Sequence, residues 1–295
     1  MRLFITLVFL ISVVIVPQLA LADPAKTIDE LAAMYNTDKC GECHEDIHNE
    51  WKSSWHSKSI IDSRVIRVWR TFIVSGLDKK GIPRSMLKDI CLPCHAPQTK
   101  DAAPEVSGAI ADLVITAADD KDTAKREAAL NELSKISVNC LICHNMKAVP
   151  GGGSQAKTIY GPKDPSAAAP HKEELGFETV KTDYLSQAKF CSECHHGCPP
   201  GMPSSLCPTL WTSYNEHYLT HGGTKTCQEC HMQGKEYKAH KFPGIDEPEF
   251  AETGIDLVLN ASATEFAYHL ENKIVPAVLV NVKVKNVSGH GIPHG

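Results

Sequence analysis

One five-residue pattern recurs along this 295-residue chain: two cysteines three positions apart, with a histidine directly after the second. The copies are CGECH at 40–44, CLPCH at 91–95, CLICH at 140–144, CSECH at 191–195 and CQECH at 227–231. A structural zinc site repeats the cysteine pair without needing a histidine after each one, and a thioredoxin-like site occurs once. Attachment of c-type haem requires this spacing, because both thiols form thioethers and the adjacent imidazole binds the iron.

The sequence therefore predicts five covalently bound c-type haems, each carrying an iron on a proximal histidine. The predicted attachment residues are Cys40, Cys43, Cys91, Cys94, Cys140, Cys143, Cys191, Cys194, Cys227 and Cys230. The predicted proximal ligands are His44, His95, His144, His195 and His231. Aromatic residues make up only 6% of the chain, so we expect the apolar macrocycles to supply much of the core.

The N-terminus has the features of a secretory signal peptide. Arg2 precedes an apolar run over residues 3–16, and residues 20–22 (ALA) form a small-residue cleavage site. We predict cleavage after Ala22 and an exported chain, periplasmic or extracellular. An uncleaved anchor is the alternative, but the run is short for a spanning helix and no later segment is apolar enough, so we do not expect an integral membrane protein.

Breaks and periodicity predict the organisation of the chain. We expect a signal peptide at 1–22, a haem region with motifs one to three at 23–150, a Gly/Pro-rich linker at 151–170, a haem region with motifs four and five at 171–245, and a β segment at 246–295. Helices are predicted from about His44 to Asp62, over EVSGAIADLVITAA, and from about Thr123 to Ser137 with Asp122 as N-cap. The predicted class is a mainly α and irregular multihaem cytochrome c fold with a short C-terminal antiparallel β segment.

Two C-terminal stretches alternate between apolar and other residues, as half-buried strands do. Apolar residues occupy every second position from Ile255 to Ala261 and from Val278 to Val284. A lone hairpin is marginal in water. We therefore expect it to pack on the haem body, to gain strands from a partner, or to begin a larger sheet that continues past Gly295.

Haem iron has two axial positions, so the remaining histidines are candidate distal ligands. Fifteen histidines less five proximal ones leave ten: His48, His56, His171, His196, His217, His221, His240, His269, His290 and His294. His48 lies one turn after His44 on a predicted helix and is poorly placed to cross that haem, whereas His56 is better placed to reach another. Met146 and Met232 lie too close to their own motifs and are predicted to pack.

The two cysteines outside the motifs lie nine residues apart in CPPGMPSSLC. In an exported chain, Cys198 and Cys207 most simply form a disulfide that closes a proline-rich loop. A redox-active or intermolecular thiol pair is the alternative.

Several stretches resemble the multihaem c-type cytochromes related to the tetrahaem cytochrome of nitrifying bacteria and, more distantly, the hydroxylamine oxidoreductases. They are CGECHEDIHNEWKSSWHSKS, SVNCLICHN, YLTHGGTKTCQECHM with the following AHKFPG, and VKVKNVSGHGIPHG. The resemblance implies that His56, His221, His240 and His290 are distal ligands. The fifth distal ligand is open among His196, His171 and His217, and His196 is carried as the candidate. His221 lacks the tryptophan expected before it, and Gly295 stands where larger relatives continue into further strands.

The resulting functional prediction is electron transfer through closely packed, mostly bis-histidine haems in a respiratory context. Expected partners are periplasmic redox proteins, membrane quinol-oxidising proteins and outer-membrane cytochromes, whereas the net charge of −5 disfavours nucleic acid. One alternative is an enzyme that turns over small nitrogen or sulfur compounds at one open haem. Another is self-assembly through the C-terminal strands into a conductive cytochrome filament.

Overall fold

The computed structural model describes residues 23–151, 157–197, 210–234 and 239–292. Short helices joined by irregular segments dominate these ranges, together with two two-stranded sheets. The mainly helical character and the small antiparallel sheet confirm that part of the predicted fold class. The predicted signal peptide, residues 152–156 of the predicted linker and the Cys198–Cys207 pair lie outside the described residues.

Fourteen α-helices occur in the described ranges, and none of them is both long enough and apolar enough to cross a bilayer. They are α1 Ile28–Met34, α2 Asp38–Cys43, α3 Glu45–Ser53, α4 Ser63–Val68, α5 Ser75–Lys80, α6 Leu87–Ile90, α7 Leu92–His95, α8 Pro104–Asp119, α9 Thr123–Ser134, α10 Ala169–Leu175, α11 Ala188–His195, α12 Leu210–Ser213, α13 Cys227–His231 and α14 Pro248–Glu252.

Tighter and wider helical turns connect several of these elements. The π-helical turns are Trp69–Val74, Ile142–Met146 and Tyr214–Tyr218. The 3₁₀ turns are His56–Lys58, Arg84–Met86, Pro97–Asp101, Pro165–Ala168, Tyr184–Ser186 and Leu219–His221. The strands are β1 Thr158–Gly161, β2 Glu178–Lys181, β3 Ile255–Tyr268 and β4 Lys273–Asn286.

The largest apolar core lies in the first half of the chain, where α8 and α9 pack together. Val106, Ile110 and Val114 of α8 are buried at helical spacing, as predicted, and Leu133 of α9 is buried beside them. The predicted N-cap of α9 is confirmed, because the Asp122 carboxylate accepts the Ala124 amide at 2.9 Å. These helices therefore form a scaffold next to the motifs.

The second half buries far fewer apolar side chains. Among the described residues after Ala148, the buried hydrophobic residues are Tyr160, Tyr184, Ala188 and Tyr214. Four side chains cannot hold more than 100 residues in place by hydrophobic burial alone. This half therefore depends on something other than its own side chains for a core.

The predicted helix from His44 to Asp62 is shorter than expected. α3 ends at Ser53, because hydroxyls in the run SSWHS bond to backbone carbonyls that would otherwise continue the helix. Ser54 Oγ donates to Trp51 O at 2.7 Å, and Ser57 Oγ donates to Ser54 O at 2.8 Å. The break moves His56 off the axis of α3 and into a separate 3₁₀ turn.

A parallel strand pair lies where the sequence predicts a linker and the start of the second haem region. β1 pairs with β2 from Thr158↔Glu178 to Gly161↔Lys181. α10 lies between the two strands in sequence and carries His171. The pairing therefore places this segment beside the third motif. Asn145, the residue after that motif, donates its Nδ2 to Thr158 O at 2.6 Å.

β3 and β4 form the predicted antiparallel hairpin, in register from Ile255↔Asn286 to Tyr268↔Lys273. One face carries the alternating apolar residues, and it is not covered within the described ranges: Leu259 and Val282 are 60% and 57% exposed. The base of the hairpin joins α14, and Val287 N donates to Gly254 O at 2.9 Å. The hairpin thus does not lie against the helical body, and its open apolar face has the character of an interaction surface.

We expect the haem-free chain to lack a cooperative unfolding transition, because its second half has too little apolar surface to form a core alone. Circular dichroism of the haem-free and haem-loaded chains during a urea titration measures this. A sigmoidal transition of the haem-free chain at any urea concentration would contradict it.

Candidate haem-binding sites

Each C-x-x-C-H motif lies on one turn of helix or at a helix end. The second, fourth and fifth motifs close α7, α11 and α13, the first ends α2, and the third forms the π-helical turn. Residues three apart lie on the same side of a helical turn, so the two thiols of a motif point the same way. The fifth motif also begins with a capping box between Thr226 and Glu229. The local sequence alone is therefore sufficient to form the attachment turns.

Four of the five motif histidines face a second histidine from a distant part of the chain. The pairs and their ring-centroid distances are His44–His171 at 6.0 Å, His195–His56 at 6.3 Å, His144–His240 at 6.3 Å and His231–His290 at 6.1 Å. Two imidazoles that bind one metal ion from opposite sides lie about 6 Å apart, since each metal–nitrogen bond is about 2 Å long. The four pairs therefore fit an iron between the rings.

Hydrogen bonds of the motif histidines set the tautomer that iron requires. The Nδ1 atoms of His95, His144 and His231 lie 2.6, 2.9 and 2.8 Å from the carbonyl oxygens of Ser59, Tyr160 and Pro243. A carbonyl only accepts, so Nδ1 carries the proton and donates it. The Nε2 lone pair is then available to a metal.

Burial favours the neutral form of His56, His195, His144 and His231. Desolvation lowers the pKa of His56 to about 4 and that of His195 to about 4, and neighbouring histidines contribute in the same direction. Desolvation also lowers the pKa of His144 and of His231, against the opposite effect of their carbonyl bonds. A lowered pKa leaves the ring unprotonated at neutral pH, which is the form that binds a metal.

Long-range contacts hold the second histidines in place. Glu50 Oε2 on α3 accepts the backbone amide of His240 at 2.8 Å, across 190 residues of sequence. The ring of Phe242 lies edge-on to His56 at 4.4 Å and to His240 at 5.8 Å. Neither Glu50 nor Phe242 belongs to a motif that signals haem, and pairing over such distances leaves no periodic trace in the sequence.

The segment around His290 is held by long-range contacts as well. Gly291 N donates to Ser213 Oγ at 2.7 Å, which ties the region after β4 to α12. Nδ1 of His290 lies 2.9 Å from Gly291 O, so its tautomer matches that of His231 opposite. The two rings are nearly parallel, with an angle of 13° between their planes.

The sequence-predicted distal ligands fall into two groups. His56, His240 and His290 each lie opposite a motif histidine. His221 and His196 do not, and both are exposed: His221 ends a 3₁₀ turn with Nδ1 3.1 Å from Thr220 Oγ1, and His196 Nδ1 lies 2.7 Å from Ser192 O.

His171, one of the competing histidines in the sequence, takes the position opposite His44. The pairing of β1 with β2 brings α10 to the first motif. The sequence predicts a loop-like linker up to residue 170. The position of His171 therefore depends on strand pairing that the sequence pattern does not reveal.

The second motif is different. His95 has no histidine opposite it within the described ranges, and the ring in contact with it is the indole of Trp69 at 5.2 Å. Trp69 is buried, and an indole is not an iron ligand. Ser59 holds this motif from two sides: Oγ donates to His95 O at 2.7 Å, and the carbonyl accepts from Nδ1.

The motifs lie next to one another through their thiols. The thiol of Cys40 lies beside that of Cys140, and the thiol of Cys94 lies beside that of Cys194. The thiol of Cys191 likewise lies beside that of Cys227. The first motif thus adjoins the third, and the fourth adjoins both the second and the fifth.

Comparison with known proteins agrees with this arrangement. Residues 39–145, which hold the first three motifs, match the family model described as cytochrome c554 and c-prime. These findings support a multihaem c-type cytochrome. No curated protein matches the chain at a significant level.

A solved structure shares the fold. The chain is similar to a penta-heme cytochrome c552 from Thermochromatium tepidum, with a TM-score of 0.51 and 17% sequence identity, over 89% of this chain and 68% of that one. The fold shared with that structure therefore extends well beyond residues 39–145.

We expect Glu50→Ala to destabilise the haem-loaded cytochrome by about 1.5–3 kcal/mol, because the charged acceptor of the His240 amide is lost. Urea unfolding followed by Soret absorbance measures the change. Asp46→Ala, which removes an exposed carboxylate of the same helix, is the matched control. Equal midpoints for the two variants would contradict a role of Glu50 in placing His240.

Proposed function

We propose that this cytochrome carries electrons between exported redox partners through five haems, one on each C-x-x-C-H motif. The observation that carries the proposal is the set of four opposed histidine pairs. Two protein ligands on one iron leave no coordination position for a substrate, so such a site exchanges electrons only. Bound haem supplies the one-electron redox centre, and the chain attaches, ligates and arranges these centres.

The proposed ligand sets follow from the pairs. The first haem takes His44 and His171, the third His144 and His240, the fourth His195 and His56, and the fifth His231 and His290. The adjoining thiols support short distances between neighbouring haems, which electron transfer requires. This assignment places His171 where the sequence leaves the ligand open, and it gives neither His221 nor His196 an iron.

Low potentials and an anionic surface define the proposed partners. Histidine on both sides of an iron lacks the methionine that raises the potential of simple cytochromes c. A formal charge of −5, before haem propionates are counted, favours docking to basic patches. Candidates are periplasmic redox proteins, quinol-oxidising membrane proteins and outer-membrane cytochromes. Self-assembly through the C-terminal strands stays a prediction that the open face of the hairpin supports.

The second motif favours a second candidate function. His95 faces no histidine in the described ranges, so the haem on Cys91 and Cys94 is the one where a small nitrogen or sulfur compound would reach the iron. This would make the cytochrome an enzyme at that single site, served by the four other haems.

Haem content and low-temperature EPR of the oxidised protein, measured on one sample, test both functions. We expect five haems per chain, with four low-spin ferric signals. A fifth low-spin signal would support a pure electron carrier, whereas one high-spin signal per chain would support a small-molecule site at the second motif. Fewer than five haems, or several high-spin irons, would overturn the proposal.

We expect His171→Ala to convert one low-spin iron per chain to a high-spin one, because His171 is the proposed ligand opposite His44. His221→Ala is the matched control and should leave all signals unchanged. Spin quantification by EPR, normalised to haem content, reads out both variants. Loss of a low-spin signal in the His221 variant instead would restore the ligand that the family resemblance implies.

A further inference from the structure

The four proposed ligand pairs differ in what their Nδ1 atoms contact. In the fifth pair, His231 and His290 both lie within hydrogen-bond distance of carbonyl oxygens, and in the third pair His144 does. In the fourth pair, Nδ1 of His56 and Nδ1 of His195 are both buried and have no hydrogen-bond partner.

The first pair is more accessible to solvent. His44 is exposed, and the half-buried His171 has Nδ1 3.5 Å from Thr179 Oγ1. The pair formed by His56 and His195 is therefore the one where neither ring donates a hydrogen bond and both donor atoms are shielded from solvent.

A hydrogen bond at Nδ1 changes the iron through the ring. When Nδ1–H donates to a carbonyl, the imidazole becomes a stronger donor to the metal and stabilises the more highly charged ferric state. Such a bond lowers the reduction potential, and its absence raises it. By this argument the pair with two donated bonds, His231 and His290, holds the haem of lowest potential.

Burial also raises the reduction potential of the haem at the fourth motif. A low-dielectric environment disfavours the charged ferric state relative to the ferrous one. The ring of Phe242 covers His56 at a centroid distance of 4.4 Å and contributes to this shielding. The missing hydrogen bonds and the apolar cover therefore both raise the reduction potential of this haem.

The expected difference in reduction potential matters because the fourth motif lies next to two other motifs. Cys194 contacts Cys94 of the second motif, and Cys191 contacts Cys227 of the fifth. Two neighbouring haems, including the one with the proposed open position on His95, therefore meet at the fourth.

We infer that the haem held by His195 and His56 has the highest reduction potential of the four bis-histidine haems and is the site where electrons collect. The inference rests on the proposed function. A redox partner donates one electron, and the fourth iron changes from ferric to ferrous as its neighbour is reoxidised. An electron stored there lies next to the second motif.

The angle between the rings provides a way to observe this haem separately. His56 and His195 are nearly perpendicular at 86°, whereas the angles of the other pairs are 45°, 25° and 13°. Perpendicular imidazole planes leave two iron d orbitals nearly degenerate and give a highly anisotropic low-spin EPR signal. Smaller angles give rhombic signals. His56→Ala should remove the anisotropic signal and so assign it.

A reductive titration of the holoprotein followed by EPR tests the inference. We expect the anisotropic signal to be half lost when no more than about a tenth of each rhombic signal is lost, which corresponds to a separation of about 59 mV for one-electron couples. Loss of the anisotropic signal together with or after the rhombic signals would overturn the inference and leave the proposed electron carrier intact. Absence of any anisotropic signal would instead overturn the proposed ligation by His56.

Phe242 offers a second measurement that does not touch a ligand. Phe242→Ala opens the cover over His56 to water and should shift the loss of the anisotropic signal to lower potential. Phe242→Leu keeps an apolar side chain there and serves as the matched control. The potential at which the rhombic signal of the fifth haem is lost should be unchanged in both variants. Equal potentials for the two variants at the fourth haem would show that shielding by Phe242 does not set the potential.

Discussion

The architecture depends on the approach of two imidazoles from distant parts of the chain to about 6 Å, the separation that the proposed iron ligation requires. Four such pairs occur, and each joins segments that no single helix or strand connects: His144 with His240, for example, or His195 with His56. In the proposed ligation, an iron that binds both rings would be a strong cross-link, and the five proposed haems would add large apolar surfaces between the segments. This explains how residues after Ala148, with few buried apolar side chains, keep a defined position.

Weaker contacts prepare those cross-links. Carbonyl oxygens of Ser59, Tyr160 and Pro243 orient motif histidines, and Glu50 holds the backbone at His240. The three carbonyls come from a turn, a strand and a loop, and Glu50 alone lies on a helix, α3. Irregular structure is therefore functional here, because it supplies the main-chain acceptors that a regular helix would use internally.

The sites are chemically unequal, and the inequality follows from their surroundings. Two carbonyl bonds at the fifth pair, none at the fourth, and the lack of a second histidine facing His95 within the described residues distinguish sites with identical motifs. The proposed electron transfer and the proposed small-molecule site are thus compatible within one molecule. The fourth motif connects them, since its thiols adjoin those of the second and fifth.

Several elements could be predicted because their causes are local. The amphipathic spacing of α8, the Asp122 cap of α9 and the alternation in β3 and β4 all lie within one element, and the structure has them. The early end of α3 was missed because serine hydroxyls compete with the helix for carbonyls. β1 was missed because a four-residue strand beside glycines has no clear pattern.

The sequence by itself determined the haem attachment turns, since two thiols and an imidazole within five residues need only one helical turn to converge. It also determined the candidates for the second ligand. Only the tertiary structure decided which of them face a motif histidine, bringing His171 to His44 through the β1–β2 pairing and leaving His221 exposed. The physical reason is the range of the interactions: the residues of an attachment motif lie within five positions of one another, whereas the facing histidines are brought together by the packing of segments about 60 to 140 residues apart.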